Sequence, residues 1–144
     1  MIRAATPADL PALRALQSLL PETAPKLLVT AIDGPGIVSV SVDGTTVGGD
    51  GLPVGYVLVT TSPETAHVAE IVVASDHRRE GRARRLLAAA LARLRKTDAT
   101  RVELAVEPDN DAARRLYGSL GFEDVRREEE YYGDEPAVLM ARPP

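Results

Sequence analysis

Cysteine is absent from the 144-residue sequence, so a disulfide framework, a thiolate metal site and a cysteine nucleophile are all excluded. Tryptophan is absent as well, and the aromatic residues are four tyrosines and one phenylalanine: Tyr56, Tyr117, Phe122, Tyr131 and Tyr132. The core must therefore be aliphatic, and there are few platforms on which nucleobases could stack. The two histidines, His67 and His77, are too few for a histidine-based metal centre, and no metal is expected. No stretch approaches the roughly eighteen apolar residues of a membrane span. The N-terminal region carries Asp9, Glu22 and several prolines where an export signal would have a basic segment and an apolar run. Neither a membrane nor a secretory destination is expected, and a cytoplasmic location follows. A net charge of -4 argues against nucleic acid as a partner.

What the chain does have is the composition of one folded domain, expected to span residues 1–144, with 44% hydrophobic and 26% charged residues. Thr6-Pro7-Ala8-Asp9 reads as a helix start, with Leu10, Leu13, Leu16, Leu19 and Leu20 following at helical spacing to about residue 20. Residues 1–5 suit a short opening strand, and 22–31 a second short helix or an irregular connection. The period then changes to two: Ile37 to Val42, a Gly-rich turn over 44–53, and Val54 to Val59 form a hairpin, with His67 to Val73 the next strand. From Gly81 the period is 3.6 again, with Leu86, Leu87, Leu91 and Leu94 on one face. Arg101 to Val106 alternates as a strand, and 109–120 is helical, with Asp109 the expected cap and Gly121 the expected C′ residue. Phe122 to Val125 and Ala137 to Met140 close the chain as strands, joined by an acidic connection over 126–136. The result is a mixed α/β domain with a six- to seven-stranded sheet and about four helices.

The densest chemistry lies in Asp76-His77-Arg78-Arg79-Glu80-Gly81-Arg82-Ala83-Arg84-Arg85, at the junction of a strand and the long helix, where five of ten residues are arginine. Cations at a helix N-terminus oppose the macrodipole unless an anion lies nearby, and Gly81 lets the backbone approach such a ligand closely. The phosphate-loop pattern GxxxxGK[ST] and a strand-linked GxGxxG are both missing, as is GxSxG. A solvated basic face is the bland alternative.

Two segments together point further. Arg78-Arg79-Glu80-Gly81-Arg82-Ala83 resembles the [QR]-x-x-G-x-[GA] pyrophosphate loop of the GNAT superfamily of acetyl-CoA-dependent N-acetyltransferases. Asn110-Asp111-Ala112-Ala113-Arg114-Arg115-Leu116-Tyr117-Gly118-Ser119-Leu120-Gly121-Phe122 matches that family's N-x-x-A-x-x-L-Y-x-x-L-G-F signature at every fixed position. The element order is also the family's, and Tyr131-Tyr132-Gly133-Asp134 with Ala137 to Met140 is similar to the end of ribosomal-protein-alanine and peptide N-terminal acetyltransferases. The resemblance implies an acetyl-CoA cosubstrate in a gap between the strand containing Glu70 to Val73 and the strand Arg101 to Val106. Its pyrophosphate would rest on backbone N–H groups from Arg79 to Arg84, with Arg78 and Arg79 adding charge-assisted bonds. The N–H of Val72 or Val73 would polarise the thioester carbonyl, and Asn110 would bond the pantetheine arm beside Ala113. Tyr117 would protonate the departing thiolate. Tyr131 and Tyr132 would line the acceptor groove. By charge alone, Glu128-Glu129-Glu130 reads either as an attractor of a cationic amine or peptide or as a solvated loop.

The general base departs from the ribosomal-protein pattern. Five positions before the signature Asn, where that type usually has Glu, this chain has Ala105. Glu103 and Glu107 flank it on one strand face, and Glu70 sits inside an apolar strand, where a buried carboxylate needs a reason. Glu70 is favoured over Glu103 as base. His67 reads as a strand-edge residue and His77 as structural. The expected activity is acetyl transfer to a primary amine, foremost a protein or peptide N-terminus, by a monomer or homodimer. A small-molecule amine acetyltransferase and a catalytically silent acyl-CoA-binding module are the alternatives.

Overall fold

Seven strands join into one sheet in the computed structural model of the chain, which describes residues 1–20, 25–43 and 51–144. In chain order they are β1 (Ile2–Ala4), β2 (Ile37–Val42), β3 (Pro53–Thr61), β4 (Thr65–Val73), β5 (Arg101–Val106), β6 (Glu123–Tyr132) and β7 (Glu135–Arg142). Among the described residues four α-helices accompany them: α1 (Leu10–Gln17), α2 (Pro25–Asp33), α3 (Arg82–Leu94) and α4 (Asp111–Ser119). The strand order is β1-β2-β3-β4-β5-β7-β6. Every neighbouring pair is antiparallel except β4 with β5. Parallel neighbours need a crossover, and α3 supplies it. No helix among the described residues is long and apolar enough to cross a membrane. The expected mixed α/β architecture is thus observed, while the predicted Gly-rich hairpin tip over 44–50 and the start of the 22–31 segment fall outside the described residues.

Alternation along the strands loads both faces of the sheet. Val57, Val59, Ala66, Val68, Val102 and Leu104 pack against Leu86, Leu87, Leu91 and Leu94 of α3 and Tyr117 of α4. On the other face Val38, Val40, Tyr56, Leu58 and Val72 meet Leu13 and Leu16 of α1 and Leu28 of α2. Covering both faces removes the apolar side chains of the central strands from water, the dominant favourable contribution to folding.

The ends of the helices explain where the chain turns. Pro7–Asp9 forms a 3-10 turn that leads into α1, and the Thr6 N–H donates to the Asp9 carboxylate at 2.8 Å. Arg3 grips the same carboxylate with two bonds of 2.8 and 2.9 Å, tying β1 to the helix start. α1 ends at Gln17, so Leu19 and Leu20 continue beyond the helix and not within it. α4 is capped by Asn110, whose Oδ1 accepts from the Ala113 N–H at 3.2 Å, which corrects the expectation of Asp109 as cap. At its other end Gly121, at φ +92°, reverses the chain: Phe122 N–H donates to Tyr117 C=O and Gly121 N–H to Gly118 C=O, both at 3.0 Å. This is a Schellman motif, completed by the edge-to-face contact of Tyr117 and Phe122 at 6.2 Å.

The acidic connection expected over 126–136 is instead mostly strand: β6 runs to Tyr132, and the turn to β7 is only Gly133-Asp134, with Gly133 at φ +66°. β6 is the sheet edge, and Arg126 pairs with Glu128 at 2.7 Å and Arg127 with Glu129 at 2.6 Å along it. Charges of both signs here discourage edge-to-edge association. An edge strand so heavily charged has no hydrophobic alternation to detect, which is why its sequence reads as a loop.

The Arg3–Asp9 anchor yields a test. The Arg3 guanidinium holds the Asp9 carboxyl below its ordinary value of 3.8. A depressed carboxylate contributes stability that is present above the unfolded value and is lost as pH falls through the folded one. Asp9→Asn should therefore lower the unfolding free energy at pH 7 by about 1–3 kcal/mol. In urea titrations the gap between variant and wild type should close below about pH 4; equal midpoints at pH 7 would refute the anchor.

Candidate active site

The site begins with one extra residue. Glu70 stands opposite Leu58 and Val68 opposite Val59, so Ala69 is a β-bulge on β4. A bulge bends its strand and changes the face to which the succeeding side chains point. Before it, Ala66 and Val68 point into the α3–α4 core; after it, Val72 joins the α1–α2 core while Ile71 and Val73 pack toward α3. Glu70 consequently faces α1. The β4–β5 ladder runs from Thr65–Arg101 to Val68–Leu104 and stops there, at the bulge. Beyond it β4 continues for five more residues without a β5 partner. A cleft of about 320 Å³ opens between them, with Val68 to Ile71 on one wall and Leu104 to Glu107, Asn110, Ala113 and Tyr117 on the other. A crevice beyond the carboxyl ends of parallel strands is a common ligand position in α/β sheets.

A second cavity, of about 430 Å³, continues along β4, lined by Ile71, Val72, Val73, Arg78, Arg79, Gly81, Arg82, Ala83 and Arg84. Leu20 and Ile71 border both spaces. Gly81 occupies the N-cap of α3 at φ +76°, and the first helical bond is Arg85 N–H to Gly81 C=O at 3.1 Å. The N–H groups of Arg82, Ala83 and Arg84 thus have no intrahelical partner, at the helix end that borders the cavity. Arg78 donates from Nε to Val73 C=O at 3.1 Å, and Arg84 to Ser119 Oγ at 2.6 Å, joining α3 to α4.

Glu70 is 7% exposed and its carboxylate is held from two elements. Tyr56 OH donates to Oε1 at 2.9 Å, and Gln17 Nε2 donates to Oε1 at 3.1 Å and Oε2 at 3.2 Å. Burial, followed by the neighbouring Glu70 charge, pushes the Tyr56 hydroxyl far above its ordinary range, so it remains a donor at any working pH. Oε1 takes two of these bonds and Oε2 one, which leaves lone-pair capacity on Oε2 in a group that lines the cleft. Sequence reasoning misses Gln17 and Tyr56 as site residues. The readable trace is Gln17 itself, which falls on the stripe of Leu13, Leu16 and Leu20 where a further apolar residue belongs.

Tyr117, Asn110, Ala113 and Glu70 are brought together on the cleft as expected, together with Glu107. Tyr131 also lines it, 40% exposed, with its hydroxyl raised above the ordinary value by partial burial and then by the Glu103 charge. The side chain of Tyr132 lies outside the described residues. Glu103 is not among the residues of the cleft wall; its carboxylate is 2.8 Å from Arg101 Nε. His67, expected at a strand edge, lies within β4 between Thr60 of β3 and Glu103 of β5 and reaches the cleft. Burial lowers its pKa against the pull of Glu103, so it is neutral at pH 7. Among the described residues, both carboxylates of the cleft, Glu70 and Glu107, therefore stand without a cationic lining residue, while the second cavity is rich in arginine.

A mixed sheet whose central parallel pair parts at a bulge, with a glycine-capped helix across the opening, is the N-acyltransferase fold class. The chain belongs to the acetyltransferase (GNAT) family, whose family model matches residues 13–122. Among relatives, the N-alpha-acetyltransferase of Sulfurisphaera tokodaii is 34% identical over 108 residues, covering 65% of this chain and 65% of that protein. The matched stretch thus spans less than two thirds of that relative, and 47% of the N-alpha-acetyltransferase of Saccharolobus solfataricus. Among solved structures, the Escherichia coli ribosomal-protein-S18-alanine N-acetyltransferase superposes with a TM-score of 0.83 at 25% identity, covering 99% of this chain and 92% of that one. Arabidopsis thaliana NAA60 in complex with acetyl-CoA superposes with a TM-score of 0.88 at 18% identity, covering 99% and 97%, and shares the fold.

Removing one donor from the buried carboxylate gives a direct check. Tyr56→Phe keeps the ring in the α1–α2 core and deletes the bond to Oε1, so it should destabilise the fold by about 1–3 kcal/mol in urea titrations. A variant as stable as wild type would mean that the bond contributes nothing to holding Glu70.

Proposed function

We propose that this protein is an N-acetyltransferase that moves an acetyl group from acetyl-CoA to a primary amine, foremost the N-terminal amine of a protein or peptide. The observation that carries the reading is the pair of adjoining cavities along β4, which share Leu20 and Ile71: one at the parted strands beside Glu70 and Tyr117, the other at the glycine-capped, arginine-rich start of α3. Family membership and the names of its relatives support the same reaction. Their names also support a peptide acceptor. The cytoplasmic location expected from the sequence belongs to the same proposal.

When bound, acetyl-CoA supplies an activated thioester carbonyl. The residues of this chain fit such a ligand. Backbone N–H groups from Arg79 to Arg84, with Arg78 and Arg79, receive the pyrophosphate. Unpaired main-chain groups of β4 past Val68 take the pantetheine amides, with Asn110 and Ala113 on the facing wall. The N–H of Val72 or Val73 polarises the carbonyl as charge develops on its oxygen. Oε2 of Glu70 takes the proton of the attacking amine, directly or through one water, while Gln17 and Tyr56 hold the carboxylate still. An α-amine, with an ordinary pKa near 8, surrenders that proton more readily than a lysine near 10.4. The new C–N bond forms as the C–S bond breaks, and Tyr117 gives its proton to the thiolate. Glu103, paired to Arg101, is the lesser candidate for base. Tyr131 flanks the acceptor.

One observation favours a second reading: Ala105 lines the cleft where the ribosomal-protein pattern has a carboxylate, which suits a silent acyl-CoA-binding module. Thiol release from acetyl-CoA, followed with a panel of peptides and small amines, separates the readings. Release with peptides supports the proposal; release with small amines alone replaces the acceptor; CoA binding with no release under any acceptor favours the silent module. Tyr117→Phe should lower kcat by about 10²-fold or more while leaving CoA affinity near wild type, and unchanged kcat with chemistry limiting would remove the acid role. CoA at a hundred times its Kd should stabilise the wild type by about 2.7 kcal/mol. Gly81→Asp, which forces a side chain into a left-handed position and adds a negative charge, should erase most of that gain in thermal unfolding.

A further inference from the structure

The loop assigned to the pyrophosphate contains two left-handed residues two positions apart, Arg79 at φ +64° and Gly81 at φ +76°. For Arg79 that conformation is disfavoured relative to glycine. Between the two stands Glu80, an anionic residue in the segment that is to receive an anion. Its Oε1 accepts from Arg82 Nε at 2.9 Å and lies 3.4 Å from His77 Nδ1. Arg82 then reaches in the opposite direction, donating from Nη1 to Ser41 Oγ at 2.9 Å and to Val42 C=O at 3.3 Å. Ser41 is 1% exposed on β2, a strand that contributes no wall to either cavity. The Arg82 side chain is itself only 12% exposed.

We infer that Arg82 is a positioning residue for the CoA site: by bridging Glu80 to Ser41 and Val42 it locks the 78–81 loop onto β2 and aims the loop's N–H groups. The role of Glu80 is then to bind Arg82 and not the ligand. The guanidinium divides these bonds between two nitrogens, Nε to Glu80 and Nη1 to Ser41 and Val42, a fixed fork that an ammonium lacks. The inference rests on the acetyl-CoA reading. The fold supplies its own control. Eleven residues further along α3, Arg93 donates from Nη1 to Ser39 Oγ at 3.0 Å. That is the same chemistry between the same helix and strand, three turns from the loop.

CoA titrated calorimetrically into the whole protein tests it. Arg82→Met and Glu80→Ala should each weaken CoA binding by about tenfold, and Ser41→Ala by about threefold. Adding Ser41→Ala to Arg82→Met should weaken it no further. Arg93→Met should bind CoA within about twofold of wild type while lowering the urea midpoint as Arg82→Met does. Glu80→Ala is the sharpest arm, because removing a negative charge beside a bound anion should tighten binding if charge alone mattered. Wild-type affinity or better in Glu80→Ala and Ser41→Ala overturns the positioning role. Equal weakening by Arg93→Met and Arg82→Met also overturns it, since helix anchoring in general would then be the cause. Ser41→Ala removes a single oxygen and carries the test if Arg82→Met does not fold. Wild-type protein that takes up no CoA overturns the functional reading and this one with it, whereas CoA-binding wild type with unaffected variants overturns this one alone.

Discussion

The arrangement of this molecule turns on Ala69, the extra residue that breaks the register of β4. The parallel ladder with β5 ends at Val68–Leu104, beside this residue, and the cleft opens beyond it. The bulge does two things at once: it leaves main-chain groups of β4 without a strand partner, and it turns Glu70 to the α1 face instead of the α3 core. Past the bulge β4 keeps its ladder with β3 and is open only on the β5 side, and the sheet there is packed on both faces, by α3 and α4 on one side and α1 and α2 on the other.

Around that opening the charges are sorted. Arginines gather at the start of α3, while the cleft carries Glu70 and Glu107 and a neutral His67. The arginine-rich cavity favours an anionic group and the carboxylate-bearing cleft a cationic one. Burial strengthens the sorting. Glu70 would be expensive to bury alone, and the donors of Gln17 and Tyr56 offset part of that cost while fixing which oxygen meets the cleft. The acidic run Glu128 to Glu130, by contrast, is largely absorbed in pairs with Arg126 and Arg127 on the exposed edge strand, which weakens it as a source of attraction for substrate.

Much is legible in the chain itself. The 3.6 period from Arg82 to Leu94, the alternation from Ile37 to Val59, and the signature from Asn110 to Phe122 each depend on local spacing, and local spacing survives in sequence. Gly81 and Gly121 are readable for the same reason, since a left-handed residue at a helix end has few substitutes. Glu70 stands out because a carboxylate inside an apolar strand is rare. Tertiary structure decided the rest, because those features depend on partners far along the chain. Gln17 and Tyr56 acquire a role only when α1 and β3 meet at Glu70, 53 and 14 residues away. Arg82 reads in sequence as one more cation of the loop, and only the fold shows its part-buried bond to Ser41, 41 residues distant, while it still borders the second cavity. The bulge at Ala69 has no residue signature at all, since a one-residue register shift is set by pairing across two strands and not by the identity of the residue that is left over.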